Sequence, residues 1–168
     1  MRLGLFALIS EIPFDLAFNA KILEFTYQNV FFTLFLGLLA IICYDKICQR
    51  KWVNNRTGNT AVKLLLCAMA LGVFCFLANL LHTDYSAIGV ICITVLYAFR
   101  KKKPAMIAAG CVAFLWEITA PLAFIPIGFY NGKRGLKLKY VFYLFYPLHL
   151  LLIYLVSMCL GMAGYSVM

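Results

Sequence analysis

Charge is scarce in this chain. Of its 168 residues only 12% are Asp, Glu, Lys or Arg, while 65% are apolar. A soluble domain carries about 25% charged and about 45–50% apolar residues. That deficit, with a mean hydropathy of +0.94, excludes a water-soluble globule, because the surplus apolar surface has to face lipid. Paired cysteines are also lacking. The seven cysteines include no C-x-x-C pair, and all but Cys48 lie inside apolar runs. They read as small buried hydrophobes, and neither a metal site nor a disulfide framework is expected. No small-x-small cleavage site follows the short apolar run Leu3 to Ile9, only Glu11-Ile12-Pro13-Phe14-Asp15. The run therefore reads as a membrane segment whose beginning is missing rather than as a removable leader. Internal repeats and low-complexity stretches are absent as well, which leaves one integral-membrane domain over residues 1–168.

The charge that is present is mostly positive, with a formal net of +9. Lysines and arginines fall mainly in three groups, Lys46 to Lys63, Arg100 to Lys103 and Lys133 to Lys139, each between apolar runs. That is the pattern of cytoplasmic loops under the positive-inside rule, and such loops attract anionic lipid head groups. No aromatic-interleaved basic module accompanies the charge, so nucleic acid is not an expected partner. The lipid bilayer is.

Between the basic groups the sequence predicts an all-α, polytopic transmembrane bundle of about five to six membrane segments. The first helix should reach Ile12, where Pro13 ends or kinks it. Residues 19–28 read as a loop, 29–44 as a crossing, 45–63 as a cytoplasmic loop and 62–81 as a span. A short turn at His82 to Tyr85 leads into 86–99. That return is short for about 30 Å of hydrocarbon at about 1.5 Å per residue, and it draws on Asp84, Tyr85 and the snorkelling stem of Arg100. Residues 104–130 have basic flanks on both sides. Two readings stay open there, a tight, partly re-entrant hairpin, which fits the charges best, and one long span. The last span runs from Tyr140 to about Leu160. Basic loops inside place Glu11 to Tyr27, His82 to Tyr85 and the C-terminus outside.

Few polar side chains sit inside the apolar runs, and each invites a functional reading because ionisable groups in lipid are costly. His149 lies near the middle of the last span. Tyr146 stands three residues before it, on the same helix face, and Pro147 frees the backbone carbonyl of Tyr143. A histidine that only bonds a neighbouring helix fits the same pattern. Glu11, Asp15 and Asn19 form a second polar cluster, with solvent exposure at a helix end as the plainer alternative. Asn29 lines a cavity or caps a helix. Asp84 reads as the cap of the returning helix, His82 as a solvent-facing residue, and Glu117 as a carboxylate that must face protein or water. Lys133 and Arg134, framed by Gly132 and Gly135, fit either an anion-binding loop or a topogenic basic loop.

Five stretches, in order, carry a resemblance: Leu5 to Asn19 with Glu11, Pro13 and Asp15; Tyr27-Gln28-Asn29 to Leu34; Thr83-Asp84-Tyr85 to Val90; Tyr130-Asn131-Gly132-Lys133-Arg134-Gly135; and Phe145-Tyr146-Pro147-Leu148-His149. Together they cover nearly the whole chain. In them the sequence closely resembles the TraX family of membrane acetyltransferases, whose namesake N-acetylates pilin subunits. The resemblance implies that further transmembrane helices, with an Asp-His pair in the first, precede this stretch in family members. The chain then corresponds to the C-terminal part of a TraX-like domain.

The resemblance also implies a function. A multi-pass inner- or plasma-membrane acyltransferase would move acetyl from cytoplasmic acetyl-CoA to an amine or hydroxyl acceptor, a pilin-like peptide or an envelope polymer. Such transfer needs a base, an oxyanion donor and cations for the CoA phosphates. His149, Glu11 and Tyr146 are the catalytic candidates, Lys133 and Arg134 the cofactor-binding ones, and Asp15, Asn29 and Asp84 the substrate-binding ones. The competing reading, in a different class, is a non-catalytic or truncated membrane protein that packs against partner helices.

Overall fold

The computed structural model describes residues 2–19, 26–49, 58–117, 119–133, 135 and 138–160. Among these the chain forms seven α-helices: α1 Arg2–Asn19, α2 Val30–Gln49, α3 Gly58–Leu80, α4 Ser86–Phe99, α5 Lys103–Ala113, α6 Phe124–Phe129 and α7 Lys139–Cys159, with a 3-10 turn at Ala120–Ala123. No strand occurs among the described residues, only an isolated parallel bridge between Gln28 and Thr83. The protein is an all-α membrane bundle.

Helix α2 packs against α1, α3 and α4, and it runs apolar for nearly its whole length. Its small residues decide how close the neighbours come. A Cβ on Gly37 would lie 2.6 Å from Ile93 Cδ1, and one on Gly89 would lie 2.5 Å from Thr33 Cγ2. Glycine at both points lets α2 and α4 approach backbone to backbone, as small residues do where lipid supplies no hydrophobic drive between helices. Beside that contact Leu36, Ala40, Ala78 and Val90 form the buried core, with Leu71, Phe74, Cys75 and Leu77 around it.

Helix α1 adds the other side. Its contacts with α7 rise in one direction, Arg2 over the Tyr140 ring at 5.9 Å and Phe6 stacked on Tyr143 at 4.8 Å, so α1 and α7 run parallel. Phe6 also meets Phe31, while Gly4 faces Phe35, so α2 runs the opposite way. The outward faces of α3 and α7 stay apolar and bare, as Phe76 and Phe142 illustrate at 67% and 70% exposure. Those faces suit acyl chains.

Three helices among the described residues are long and apolar enough to cross a membrane: Val30–Gln49, Thr60–Leu80 and Tyr140–Cys159. The other expected segments are present as helices but are either short or interrupted by carboxylates. Helix α4 covers 14 residues, and α1 holds Glu11 and Asp15.

Two expectations change. Pro13 does not end α1, which continues to Asn19 with the proline inside it. Only one intrahelical hydrogen bond is lost there, and the flanking turns carry the helix through. Glu11 and Asp15 therefore do share a face, and both are buried. Helix α2 also runs past Tyr44 to Gln49, so Asp45 and Lys46 extend the helix instead of opening a loop. The hairpin reading of 104–130 fits what is seen. Helix α5 ends at Ala113, and Lys103 Nζ donates to the Tyr130 carbonyl at 2.6 Å, which brings both ends of the segment together.

The close α2–α4 crossing predicts a contrast between two glycines. Gly89→Val should lower the Tm of the purified protein in detergent, at a cost of about 1–3 kcal/mol from overpacking. Gly72→Ala, where an added Cβ meets nothing within 4 Å, should leave Tm unchanged or raise it slightly.

Candidate functional site

At one end of the bundle the start of α2, the middle of α1, the α3–α4 turn and the centre of α7 meet. Asn29 sits at the junction, fully buried. Its Oδ1 accepts the Phe31 N–H at 3.0 Å, which caps the first turn of α2 as its residue type favours. Its Nδ2 donates to the Ala7 carbonyl at 2.8 Å and to Glu11 Oε2. The amide can face only this way, because a carbonyl accepts and a backbone N–H donates. Asn29 therefore both caps α2 and holds α1.

Glu11 is buried at 7% exposure. Its second oxygen, Oε1, and the neighbouring Ser10 Oγ have no hydrogen-bond partner among the described residues. An unsatisfied buried carboxylate oxygen is costly and rare. It leaves an acceptor position in the bundle that an incoming N–H or O–H can fill.

The α3–α4 turn comes in beside α2. Gln28 N–H donates to the His82 carbonyl and Asp84 N–H to the Gln28 carbonyl, both at 3.0 Å. Tyr27 Oη lies 3.0 Å from the Asp84 carbonyl and 3.1 Å from Asp84 Oδ1, and it donates toward both. The turn itself is tight, with His82 and Ser86 at φ of 47° and 46°, a left-handed conformation uncommon outside glycine. The sequence predicts Asp84 as the cap of α4, but it does not cap the helix. Asn79 Oδ1 takes the Ala87 N–H at 3.2 Å instead, and the Asp84 carboxylate accepts from Tyr27. Burial pushes the Asp84 carboxyl above its ordinary value, the Tyr27 hydroxyl pulls it back, and the charge of Glu117 raises it again. Burial likewise pushes the Tyr85 phenol up, with Asp84 and Glu117 adding to the effect. Trp116, beside Glu117, meets the Tyr85 ring edge-on at 5.9 Å. The tip of the α5–α6 hairpin thus reaches this end too.

Helix α7 completes the cluster. The Tyr146 ring meets the Phe31 ring edge-on at 4.9 Å, and its hydroxyl lies within electrostatic reach of Asp84 and Glu11. Tyr146 and His149 meet edge to face at 5.4 Å. His149 Nδ1 sits 3.0 Å from the Phe145 carbonyl. Since a carbonyl cannot donate, Nδ1 carries the proton in the neutral ring and Nε2 is left as the basic nitrogen. The carbonyl that His149 uses is that of Phe145, not the Tyr143 carbonyl freed by Pro147.

The structure thus gathers Glu11, Asp15, Asn29, Asp84, Tyr146 and His149 at one end. It does not bring Lys133 there. Lys133 lies in an exposed turn, its N–H on Asn131 Oδ1 at 2.9 Å and its carbonyl on Tyr130 Oη at 2.7 Å, tied through Tyr130 to Lys103. Arg134 lies outside the described residues. Sequence reading assigned no role to Thr33, Thr83 or Ser10, although all three are buried here, with Thr33 Oγ1 accepting the Tyr85 N–H at 3.4 Å. Isolated hydroxyls in apolar helices give little signal, because helical Ser and Thr satisfy themselves on their own backbone.

Two measurements probe the junction. Asn29→Ala removes the cap and strips Glu11 of a partner, and should cost about 2–4 kcal/mol, read as a fall in Tm. For Asp84, a raised folded-state pKa means that its contribution to stability is full at acid pH and is lost as pH rises through that pKa. The Tm of Asp84→Asn should therefore gain on wild type as pH rises above the ordinary aspartate value of about 4; a gap that stays constant, or moves the other way, would contradict the burial.

Comparison with known proteins fits this arrangement into a family. Neither the curated proteins nor the solved structures contain a match. A family model described as TraX protein matches residues 1–157, a stretch that includes every residue of this cluster. The chain belongs to the TraX family.

Proposed function

We propose that the protein is a multi-pass inner- or plasma-membrane acyltransferase that moves acetyl from cytoplasmic acetyl-CoA to an amine or hydroxyl acceptor, a pilin-like peptide or an envelope polymer. The observation that carries this reading is the junction of buried Glu11 and Asn29 with half-buried Tyr146 and His149, a set of acid, base and donor groups inside an otherwise apolar bundle. Ionisable groups at such a place are expensive, and function is the usual reason they persist.

In this reading His149 Nε2 takes the proton from the acceptor as its nitrogen or oxygen attacks the thioester carbonyl. The new C–N or C–O bond forms, the C–S bond breaks, and the thiolate leaves to be protonated. Tyr146 offers its hydroxyl to the carbonyl oxygen as negative charge builds there. Glu11 Oε1, with Asp15, Asn29 and Asp84, receives the acceptor's polar hydrogens. Lys133, at the basic end, and Arg134 are assigned to the CoA phosphates. From Lys139 to His149 along α7 is about 15 Å at the helical rise, a gap that an extended pantetheine arm spans.

The test is protein in liposomes with radiolabelled acetyl-CoA and a soluble amine acceptor. Wild type should transfer label, and His149→Ala should transfer it about 10²–10⁴-fold more slowly, the usual range for loss of a general base. Equal labelling by the two would remove His149 from the mechanism. If wild type neither transfers label nor is stabilised by acetyl-CoA, a non-catalytic packing subunit is the correct reading.

A further inference from the structure

The opposite end of the bundle holds a second polar construction that the acyltransferase reading does not use. A cavity of about 450 Å³ opens where α2 and α4 end and α3 begins, and its lining includes Lys63, Arg100, Lys101, Asp45, Gln49 and Tyr44. Three cations face one carboxylate. That carboxylate is engaged: Asp45 accepts from the Tyr97 hydroxyl and pairs with Arg100 Nη2 at 3.5 Å. Its effect is to orient the arginine, not to fill the cavity.

Arg100 is held from three directions. Its guanidinium lies over the Tyr97 ring with Cζ 3.5 Å from the centroid. Nη1 donates to the Tyr97 carbonyl at 2.9 Å, and Asp45 takes Nη2. A guanidinium has five N–H donors in a rigid plane, so these contacts fix the fork while leaving hydrogens to spare. A planar donor set that is already positioned suits the oxygens of a phosphate, and little side-chain entropy remains to be lost on binding. Lys63 stands just inside the apolar run of α3, half-buried, and lines the cavity beside Arg100. A second cation at that point adds to the attraction for an anion.

A second, apolar cleft adjoins the first. It measures about 230 Å³, shares Tyr44 with the basic cavity, and runs along Ala40, Leu64, Cys67 and Leu71 between α2 and α3. The two together match an amphipathic molecule, with anionic head on the arginine fork and chain in the cleft.

We propose that this pair of cavities is a binding site for a phosphate ester with an attached chain, with Arg100 and Lys63 as its phosphate ligands. The chemistry has two sources, the head group of an anionic phospholipid and a soluble phosphate ester such as a nucleotide. The site stands independently of any transfer reaction at the Asn29 junction.

The experiment uses the full chain in nanodiscs. Phosphatidylcholine discs with and without phosphatidylglycerol form one arm, and phosphatidylcholine discs with adenosine 3′,5′-bisphosphate the other. Bound ligand is read by native mass spectrometry after release from the disc, and stability by Tm. At least one probe should be retained and should raise Tm, and which one does so identifies the source. Arg100→Gln and Lys63→Gln should each weaken retention roughly tenfold, the scale of one lost charge-assisted contact. Arg100→Lys, which keeps the charge but not the fork, covers the case in which Arg100→Gln fails to fold, and should also bind more weakly than wild type. Lys102→Gln removes an equal charge from the same end outside the cavity and should have little effect. Retention of neither probe overturns the proposal. So does an equal loss in Lys102→Gln and Arg100→Gln, which would mean attraction to a basic surface and not to a site.

Discussion

One side-chain amide ties this bundle together. Asn29 donates into α1 at Ala7 and Glu11 while its own oxygen caps α2. In lipid there is no water to take over those bonds, so every group that Asn29 serves would be stranded without it. The rest of the polar end is arranged around this residue. Gln28, just before it in the chain, bonds the α3–α4 turn on both its N–H and its carbonyl, and Phe31, two residues on, meets the Tyr146 ring of α7. The stretch from Gln28 to Phe31 thus connects α2 to α1, to the α3–α4 turn and to α7.

The division of charge follows from this arrangement. Glu11, Asp15, Asp84 and Glu117 belong to the end organised by Asn29, whereas Lys63, Arg100 to Lys103 and Lys133 belong to the other. A buried carboxylate among carboxylates holds its neighbours near neutrality or draws a hydrogen-bond donor. A cluster of cations draws an anion. The same helices therefore present two chemically opposite ends, and α4 joins them directly, from Tyr85 at one end to Arg100 at the other.

Much of this was legible from the residues alone. Apolar runs and their basic punctuation specify the helices, because lipid leaves the backbone no other way to satisfy itself. The α4 boundaries, Ser86 and Phe99, follow from the turn before them and the lysines after. Family stretches marked Glu11, Asn29, Asp84, Tyr146 and His149 as candidates before any geometry was known. What the sequence hid was pairing. Asp45 reads as one acid in a basic loop, and nothing in the order of residues says that it meets Tyr97 and Arg100 more than fifty positions later. Pro13 misleads for a related reason: its local penalty is real, but the surrounding helix absorbs it. Asp84 looks like a cap by residue type, yet Asn79 does the capping, since the turn places the asparagine closer to the free N–H groups of α4.

The length of α4 has a mechanical consequence. Its 14 residues rise about 21 Å, against roughly 30 Å for a bilayer's hydrocarbon core. Helices α2, α3 and α5 pack around it, so its short length is set by neighbouring helices. The carboxylate end at Tyr85 and the basic end at Arg100 therefore stand only the length of α4 apart, a distance that a single extended molecule can cross.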